Sequence, residues 1–290
     1  MITRSIVLGL CLGALLCAGN RAIAQDSAGI SELMSQGERA MRAGDFQTAL
    51  KAWADAARQA PQNQDVQMQY AVLRQVVQLR EAIATETDAT RYETIATALR
   101  GFYRDHNLTN DALALDQQRY QKKPSAETAA LLGETLLDMG NDAEAETVLA
   151  SYAAADAPLD AHLLHAIALA RQGKTEQAYA EAGSLPLPEG TSARTLLFAA
   201  RMNALTGSGQ AATALVARAL ENTSPSALGV QRHVILTCPD FAALFGQASF
   251  GTAMQTTSKL SESKCSQAPS CGRCPNAKTC ASGQAKSEGK

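Results

Sequence analysis

Small and apolar residues recur at helical spacing through most of the sequence. They fall three and four positions apart from Ile30 to Ala43, and the same spacing returns from Phe46 to Gln59. That period predicts two amphipathic helices with a turn at Gly44-Asp45. Small side chains let two helix backbones approach closely, and Trp53 supplies bulk against the next element. The small residues that predict this helix contact are Gly37, Ala40 and Ala49.

The two-helix pattern repeats further along the chain. The spacing of seven residues between Gly37 and Gly44 returns between Gly133 and Gly140, inside a second copy at residues 126–158. Self-similarity at a nearly fixed period indicates a repeat array, so we expect a turn at each of the matching glycines. A third copy aligns 33 residues on through Ala166, Leu169, Gly173 and Ala178, and a fourth 36 residues beyond it through Met202, Leu205, Gly209 and Ala214.

Residues 62–124 are less regular. Asn107 stands where a degenerate copy needs its turn glycine. From Asp65 to Ala84 the pattern instead predicts one long amphipathic helix, because apolar residues keep the helical period without a break. The apolar face of that helix is Val66, Tyr70, Leu73 and Val77.

The segment after the array has a different pattern. From Leu228 to Thr237 there is no helical signature, and we expect extended backbone at residues 234–236. Pro239 predicts the start of a final helix, because proline lacks only an N–H group that the first turn does not use. The apolar stripe of that helix, which would cover the open end of the array, is Phe241, Leu244, Phe245 and Ala248.

Composition favours an all-α protein. Aromatic residues make up 4% of the 290 residues, whereas sheets are usually rich in aromatic and β-branched side chains. The charge is uneven: residues 255–290 hold six Lys or Arg and two Glu, and the rest of the chain is acidic. An acidic body argues against nucleic acid as a partner, since that binding begins with phosphate neutralisation.

The N-terminus has the pattern of a secretory signal peptide. Arg4 precedes an apolar stretch at residues 6–18, and Ala22-Ile23-Ala24 is a small-residue cleavage signal. We therefore expect a periplasmic or secreted protein in which residues 1–24 are removed. An apolar run of this length is shorter than a bilayer requires, so we expect no integral membrane span. Lipidation at Cys17 is an open alternative.

The first copy also carries a specific set of small, aromatic and breaker residues: Gly37, Gly44, Phe46, Ala49, Trp53, Ala56 and Pro61. This set resembles the tetratricopeptide repeat (TPR), a helix–turn–helix unit with a period of about 34 residues. The best matches are residues 30–61 and 126–158. The resemblance is to exported bacterial proteins of this family, and it implies a right-handed superhelix of helix pairs that presents a concave surface to other proteins.

In such arrays the first helix of each pair lines the groove, which implies the binding residues. We expect polar, exposed contacts to a protein or peptide partner on two of the predicted helices, at Glu32, Gln36, Arg39, Glu134 and Asp138. The domain organisation implied by these patterns is a signal peptide at 1–24, a repeat array at 25–227, a capping segment with the final helix at 228–254, and a basic Cys-rich tail at 255–290.

The tail is Cys265-x5-Cys271-x2-Cys274-x5-Cys280, and it is disordered unless it is cross-linked, because it is poor in apolar residues. Three chemistries are open for it. Export permits disulfides, four thiolates would suit tetrahedral zinc, and a C-x-x-C unit can exchange disulfides. Disulfides are the interpretation that we prefer. Cys238, the fifth cysteine of the mature chain, could be an ordinary buried thiol, which we prefer, or could join the tail to the helical array.

The sequence has no catalytic motif, so we expect no enzyme and no cofactor apart from possible zinc in the tail. His162 and His165 share a helix face and could bind a metal with Asp160, although ordinary packing or surface histidines are the interpretation that we prefer. The sequence therefore predicts an exported adaptor that binds another protein or peptide during envelope assembly, secretion or maturation. The alternative is a metal- or thiol-redox-handling protein whose tail is the active part and whose helical array recruits the client.

Overall fold

The computed structural model describes residues 28–152 and 157–261, and within these ranges every regular element is helical. The chain divides into two compact units, and the boundary between them along the sequence lies between Lys123 and Pro124. The described helices of the first unit are α1 (28–42), α2 (Phe46–Gln59), α3 (Gln64–Thr85), α4 (Ala89–Asp105) and α5 (Thr109–Lys122). Those of the second are α6 (Ala126–Asp138), α7 (Asp142–Ala150), α8 (Leu159–Arg171), α9 (Thr175–Ala182), α10 (Ala193–Leu205), α11 (Gly209–Glu221), α12 (Leu228–Thr237) and α13 (Ala248–Ala253), with 3₁₀ turns at Pro225–Ala227 and Pro239–Leu244.

The first helix pair forms as the sequence predicts. Gly44 has a φ of +79°, a conformation that glycine adopts without a steric penalty, and it reverses the chain between α1 and α2. The Asp45 carboxylate then accepts a hydrogen bond from the Thr48 backbone N–H at 3.0 Å and caps α2. Trp53 packs directly on Gly37: a Cβ built on that glycine would lie 2.6 Å from Trp53 Cδ1.

The long helix that the sequence predicts over residues 65–84 is confirmed as α3. Its Asn63 cap accepts hydrogen bonds from the first-turn N–H groups of Asp65 and Val66. Of its predicted apolar face, Val66, Leu73 and Val77 are buried and Tyr70 is partly buried. Together with α2, α4 and α5, this helix builds one continuous apolar core in the first unit.

The second unit stacks three successive helix pairs, α6–α7, α8–α9 and α10–α11. The first helices of these pairs, α6, α8 and α10, also pack side by side. As a result α8 is buried along its whole middle, from Ala161 to Ala170. Close stacking of small residues explains why an Ala-rich, aromatic-poor chain can fill this core.

The turns follow a regular register, with one correction to the sequence alignment. Positive φ values occur at Asn107, Gly140, Gly173 and Gly207, which follow one another at steps of 33, 33 and 34 residues. Asn107 was predicted to replace a turn glycine, and its φ of +55° confirms this. The expected turn at Gly209 is wrong, because Gly207 makes the turn and Gly209 begins α11.

Two positions recur in each of these helix pairs, seven residues before the turn and nine residues after it, and in three of the pairs a direct contact joins them. In the first pair and in α6–α7 it joins a glycine to a large side chain, and a Cβ on Gly133 would lie 2.6 Å from Leu149 Cδ1. In α4–α5 the same two positions hold Arg100 and Asp116, whose ion pair is buried at 2.8 Å. The remaining pairs have small or medium residues there, Ala166 with Ala182 and Ala200 with Val216.

The C-terminal part of the array differs from the sequence expectation in two ways. Residues 228–237, expected to lack a helix and to be extended at 234–236, form α12, which ends because Pro239 disfavours helical backbone at the residue before it. The final helix splits into a 3₁₀ turn and α13. Phe241 and Leu244 are buried against α10 and α11, whereas Phe245 of the predicted stripe is 42% exposed.

Several predictions concern residues outside the described ranges. They are the signal peptide at 1–24, lipidation at Cys17, and the tail cysteines Cys265, Cys271, Cys274 and Cys280. Within the described ranges, the helices are all too short or too polar to cross a bilayer. Cys238 is a free thiol there, partly buried at the end of α12.

Candidate binding surfaces

The three residues expected to bind a partner from the first copy lie on α1. Glu32 and Arg39 form an ion pair at 2.8 Å, with side chains 70% and 64% exposed. Gln36 is exposed beside them. These side chains are accessible as expected, and their role in binding stays a prediction.

The two residues expected from the second copy differ from each other. Glu134 is only 3% exposed, so its expected exposure is wrong. Its carboxylate accepts a hydrogen bond from Arg194 at 2.7 Å, and this ion pair joins α6 to α10. Asp138 keeps 35% of its side chain exposed and lies 4.0 Å from Arg201. Close packing of the first helices leaves little room for an open groove of polar side chains along α8.

The described part of the second unit instead has an open cleft of about 610 Å³. We call it the edge cleft, because it lies where α6, α8 and α10 begin. Its walls come from the first turns of α6, α8 and α10 and from the loop that precedes α10, residues 188–192. Ligand pockets in proteins typically enclose about 300–1,000 Å³, so the edge cleft has room for part of an extended peptide.

A polar network joins two walls of the edge cleft. Arg194 donates to Asp160 Oδ2 at 2.9 Å while it also binds Glu134. The Thr195 hydroxyl donates to Asp160 Oδ1 at 2.7 Å. These bonds tie the start of α10 to the start of α8 and to the third turn of α6. The Arg194 guanidinium is therefore held in place, and it divides its hydrogen bonds between two carboxylates.

Side chains from α11 and its C-cap hydrogen-bond to the backbone of the loop before α10. Arg218 donates hydrogen bonds to the backbone carbonyls of Leu187, at 3.0 Å, and Pro188. Asn222 donates to the carbonyl of Thr191 at 3.0 Å. The loop between these anchors includes Glu189, which is exposed on the cleft wall. Because its backbone is anchored at both ends, the loop fixes the point from which the Glu189 side chain extends.

A buried ionic cluster lies at the opposite ends of α8 and α10. Asp240 binds Arg171 at 2.8 Å and Arg201 at 2.7 Å, and Arg171 also donates to the Leu137 carbonyl at 2.6 Å. Burial acts to raise the pKa of Asp240, but the two guanidinium groups outweigh it and the pKa is lowered. Burial raises the pKa of the nearby Cys238 thiol. The cluster fastens the 3₁₀ turn at Pro239–Leu244 onto the array.

The two histidines considered as metal ligands face α9. His162 Nδ1 lies 2.6 Å from Glu181 Oε1, and His165 Nδ1 lies 3.6 Å from the same oxygen. Asp160, the third ligand considered, points away to Arg194 and Thr195. Within residues 28–152 and 157–261, no group of three or more His, Cys, Asp or Glu residues is placed to hold a metal ion.

The helix pairs, their turn register and the repeated contact between the two helices are the features that the TPR resemblance implies. The fold is TPR-like. Neither a protein-family model nor a curated protein matches this chain. Among solved structures, a tetratricopeptide repeat protein from Parabacteroides merdae is similar at 17% identity, with a TM-score of 0.37, over 79% of this chain and 98% of that chain.

Sequence reasoning missed the edge cleft of this TPR-like array. Its walls come from segments about one repeat apart, and they meet only because first helices pack side by side. A signal was nevertheless present: Pro158 and Pro188 each precede a first helix, and acidic residues follow them closely at Asp160 and Glu189. The edge cleft could have been found by comparing the positions just before the first helix of each pair, instead of the residues within those helices.

Proposed function

We propose that this protein is an exported, non-enzymatic adaptor that holds another protein or peptide in the edge cleft. The observation that carries the proposal is the cleft itself, a concavity of about 610 Å³ with walls that are already fixed by hydrogen bonds. Preformed walls reduce the ordering cost of binding. The TPR-like fold supports the proposal, because stacked helix pairs commonly serve as surfaces for other proteins.

The finer parts of the proposal rest on sequence. The signal-peptide pattern supports export to the periplasm or beyond, and hence a role in envelope assembly, secretion or maturation. Export in turn supports disulfides among the four tail cysteines. We also propose that the helix pairs wind into a right-handed superhelix, as the TPR resemblance implies. Glu32, Gln36, Arg39 and Asp138 are additional candidate contacts.

Photo-crosslinking tests the adaptor proposal directly. A photoreactive amino acid replaces Glu189 in the full-length protein in its native host, and the matched control carries it at Glu176, an exposed residue at the start of α9. The proposal predicts a specific protein adduct from position 189 that is absent from position 176. No adduct at 189, or equal adducts at both positions, would contradict binding in the cleft.

A second experiment separates the adaptor from the redox- or metal-handling alternative. Residues 262–290 are deleted, and the position-189 crosslink is repeated. Both proposals predict that the adduct persists, because in each the helical array binds the client. Only the alternative predicts that deleting the tail also changes the thiol redox state or the metal content of the crosslinked client. A thiol count and zinc analysis on the purified mature protein accompany this comparison. Oxidised tail cysteines without zinc agree with the disulfide proposal, and free thiols with stoichiometric zinc contradict it.

A further inference from the structure

The edge cleft has an acidic lining. Three carboxylates contribute to its wall, those of Glu127, Asp160 and Glu189, against one guanidinium, that of Arg194. A fourth carboxylate, Glu134, lies directly behind Arg194. The cleft therefore has an excess of negative charge in a concave site, where field lines are concentrated and a ligand's charge matters most.

Arg194 does not offset this excess. Its guanidinium binds Glu134 at 2.7 Å and Asp160 at 2.9 Å, so its one positive charge is shared between two carboxylates. Glu189 lies on the loop and is exposed, and none of the ion pairs found within the described residues includes it. It is the carboxylate best placed to meet a charge brought by a ligand.

The three helix N-termini at the cleft do not reverse this preference. A helix N-terminus favours an anion when its first N–H groups lack partners. Here the Ser192 hydroxyl accepts from Thr195 N–H at 3.1 Å, and Ser125 and Thr128 form a capping box on α6. The first-turn carboxylates of Glu127 and Asp160 already provide the negative charge that stabilises the positive N-terminal ends of the α6 and α8 dipoles. An anionic ligand would meet these carboxylates as well as Glu189.

The cleft also offers apolar surface between its charges. Leu131 and Leu159 are partly buried on its walls, and the rings of Pro158 and Pro188 are exposed at its edge. Peptide sites commonly combine apolar contact area with a few polar groups that fix orientation. This combination suits a chain segment with alternating basic and apolar side chains better than a small cation.

We infer that the edge cleft takes an extended cationic segment of the partner protein, with a Lys or Arg side chain at Glu189 and an apolar side chain against Leu131 and Leu159. This inference rests on the proposed adaptor function and specifies the chemistry of the partner. Charge complementarity decides the occupant: an acidic segment would be repelled by the lining, and a neutral one would leave Glu189 without a partner.

Binding of short synthetic peptides to the purified mature protein tests the inference. The three fluorescent probes share a Ser/Gly backbone and one leucine, and they differ only in spaced Lys, Gln or Glu residues. The Lys probe should bind more tightly than the Gln probe, and the Glu probe should bind most weakly. The affinity of the Lys probe should also fall as the salt concentration rises from about 0.05 M to 0.5 M, because salt screens exposed charges.

Matched substitutions localise the effect. Glu189→Lys should weaken binding of the Lys probe about three- to tenfold, since it removes one attraction between exposed charges and adds a repulsion. Glu176→Lys makes the same charge change about 20 Å away, at the other end of α8, and should change binding less than twofold. Circular dichroism confirms that both variants keep the helical fold.

The outcomes separate this inference from the adaptor proposal. Equal binding of all three probes, tighter binding of the Glu probe, or equal effects of the two substitutions would overturn the cationic preference. The adaptor proposal would still stand if position 189 crosslinks a partner. Absence of that crosslink overturns the adaptor proposal itself. Charge-dependent binding that only Glu189→Lys weakens supports both.

Discussion

Gly37 and Gly133 show how single residues set the spacing of a helix pair. Each lies under a large side chain nine positions beyond the turn, Trp53 or Leu149, and neither site has room for a Cβ. The close approach of the helices at Gly37 was readable from the sequence, but Trp53 was predicted to pack against the next element and instead packs on Gly37 within its own pair. The turn at Gly207 was not readable, since Gly207-Ser208-Gly209 offers two glycines and only the backbone shows which has positive φ.

The glycine at the helix contact should be sensitive to one methyl group. Gly133→Ala would place its Cβ 2.6 Å from Leu149 Cδ1, and we expect a net loss of about 1–2 kcal/mol in the free energy of unfolding. Gly101→Ala is the matched control, because Gly101 lies in α4 with open space around it. It should gain about 0.5–1 kcal/mol from helix propensity. Urea unfolding followed by circular dichroism measures both, and a stabilising Gly133→Ala would contradict the packing described.

At the scale of elements, the α4–α5 pair replaces the usual small-to-large contact with an ion pair. Asp116 is fully buried and Arg100 nearly so, and Arg119 also lies 4.0 Å from the same carboxylate. This ion pair could not be predicted from the sequence, because charged residues on a predicted helix are normally solvated. Their burial follows from the turn at Asn107, which places Arg100 and Asp116 at the two contact positions.

Removing one partner of this ion pair should cost more than removing both. Arg100→Met leaves the Asp116 carboxylate without its main cation, and we expect a loss of about 3–5 kcal/mol. The double variant Arg100→Met/Asp116→Leu should recover most of that loss, since apolar side chains fill the contact and Arg119 retains Glu93 at 2.5 Å. Unfolding by urea measures both variants. A double variant less stable than the single variant would contradict the claim that apolar side chains can take the place of this ion pair.

The C-terminal elements show where a sequence pattern stops being decisive. Helix α12 exposes Val230, Val234 and Leu236 and buries only Ile235, so its residues lack the apolar stripe of an amphipathic helix. The next segment was predicted better, because Phe241 and Leu244 do cover α10 and α11. Local chain geometry, with a 3₁₀ turn on each side, determines the structure there more than periodicity does.

At the scale of the whole molecule, stability of the second unit should depend on Asp240 in a pH-dependent way. Its pKa is lowered below the ordinary 3.8, since the two arginines outweigh burial. At a pH between the two pKa values, the unfolded chain binds more protons at Asp240 than the folded chain does. The stabilisation that Asp240 provides is therefore complete above its unfolded pKa, and it is lost as the pH falls through its folded pKa. Acid should therefore weaken the fastening of the capping segment.

Asp240→Asn should reduce the free energy of unfolding by about 3–5 kcal/mol near neutral pH, because the buried Arg201 and the partly buried Arg171 both lose their nearest carboxylate. The difference from the native protein should shrink as the pH falls below 3.8, the ordinary value. Glu176→Gln, which removes an exposed carboxylate, is the control and should leave stability nearly unchanged. Urea unfolding from neutral pH to below pH 3.8 measures the free energy of unfolding of both variants and the native protein. A pH-independent difference would contradict the role of the Asp240 charge.

Helix content, repeat register and most of the core were predictable, because they follow from spacing along the chain. The edge cleft was not, because Asp160 and Arg194 are 34 residues apart and meet only through lateral packing of first helices. Glu134 was misplaced on the surface for the same reason. A solenoid's sites thus depend on contacts between repeats, and a pattern within one repeat does not contain them.

The central claim is that the edge cleft is the surface that holds a partner. Hydrogen–deuterium exchange of the purified protein, with and without the saturating Lys probe, tests it most directly. The account predicts slower exchange at residues 189–192 and at the first turns of α8 and α10, with no change in α1 or α9. Protection confined to α1 or α9, with unchanged exchange around the cleft, would contradict it.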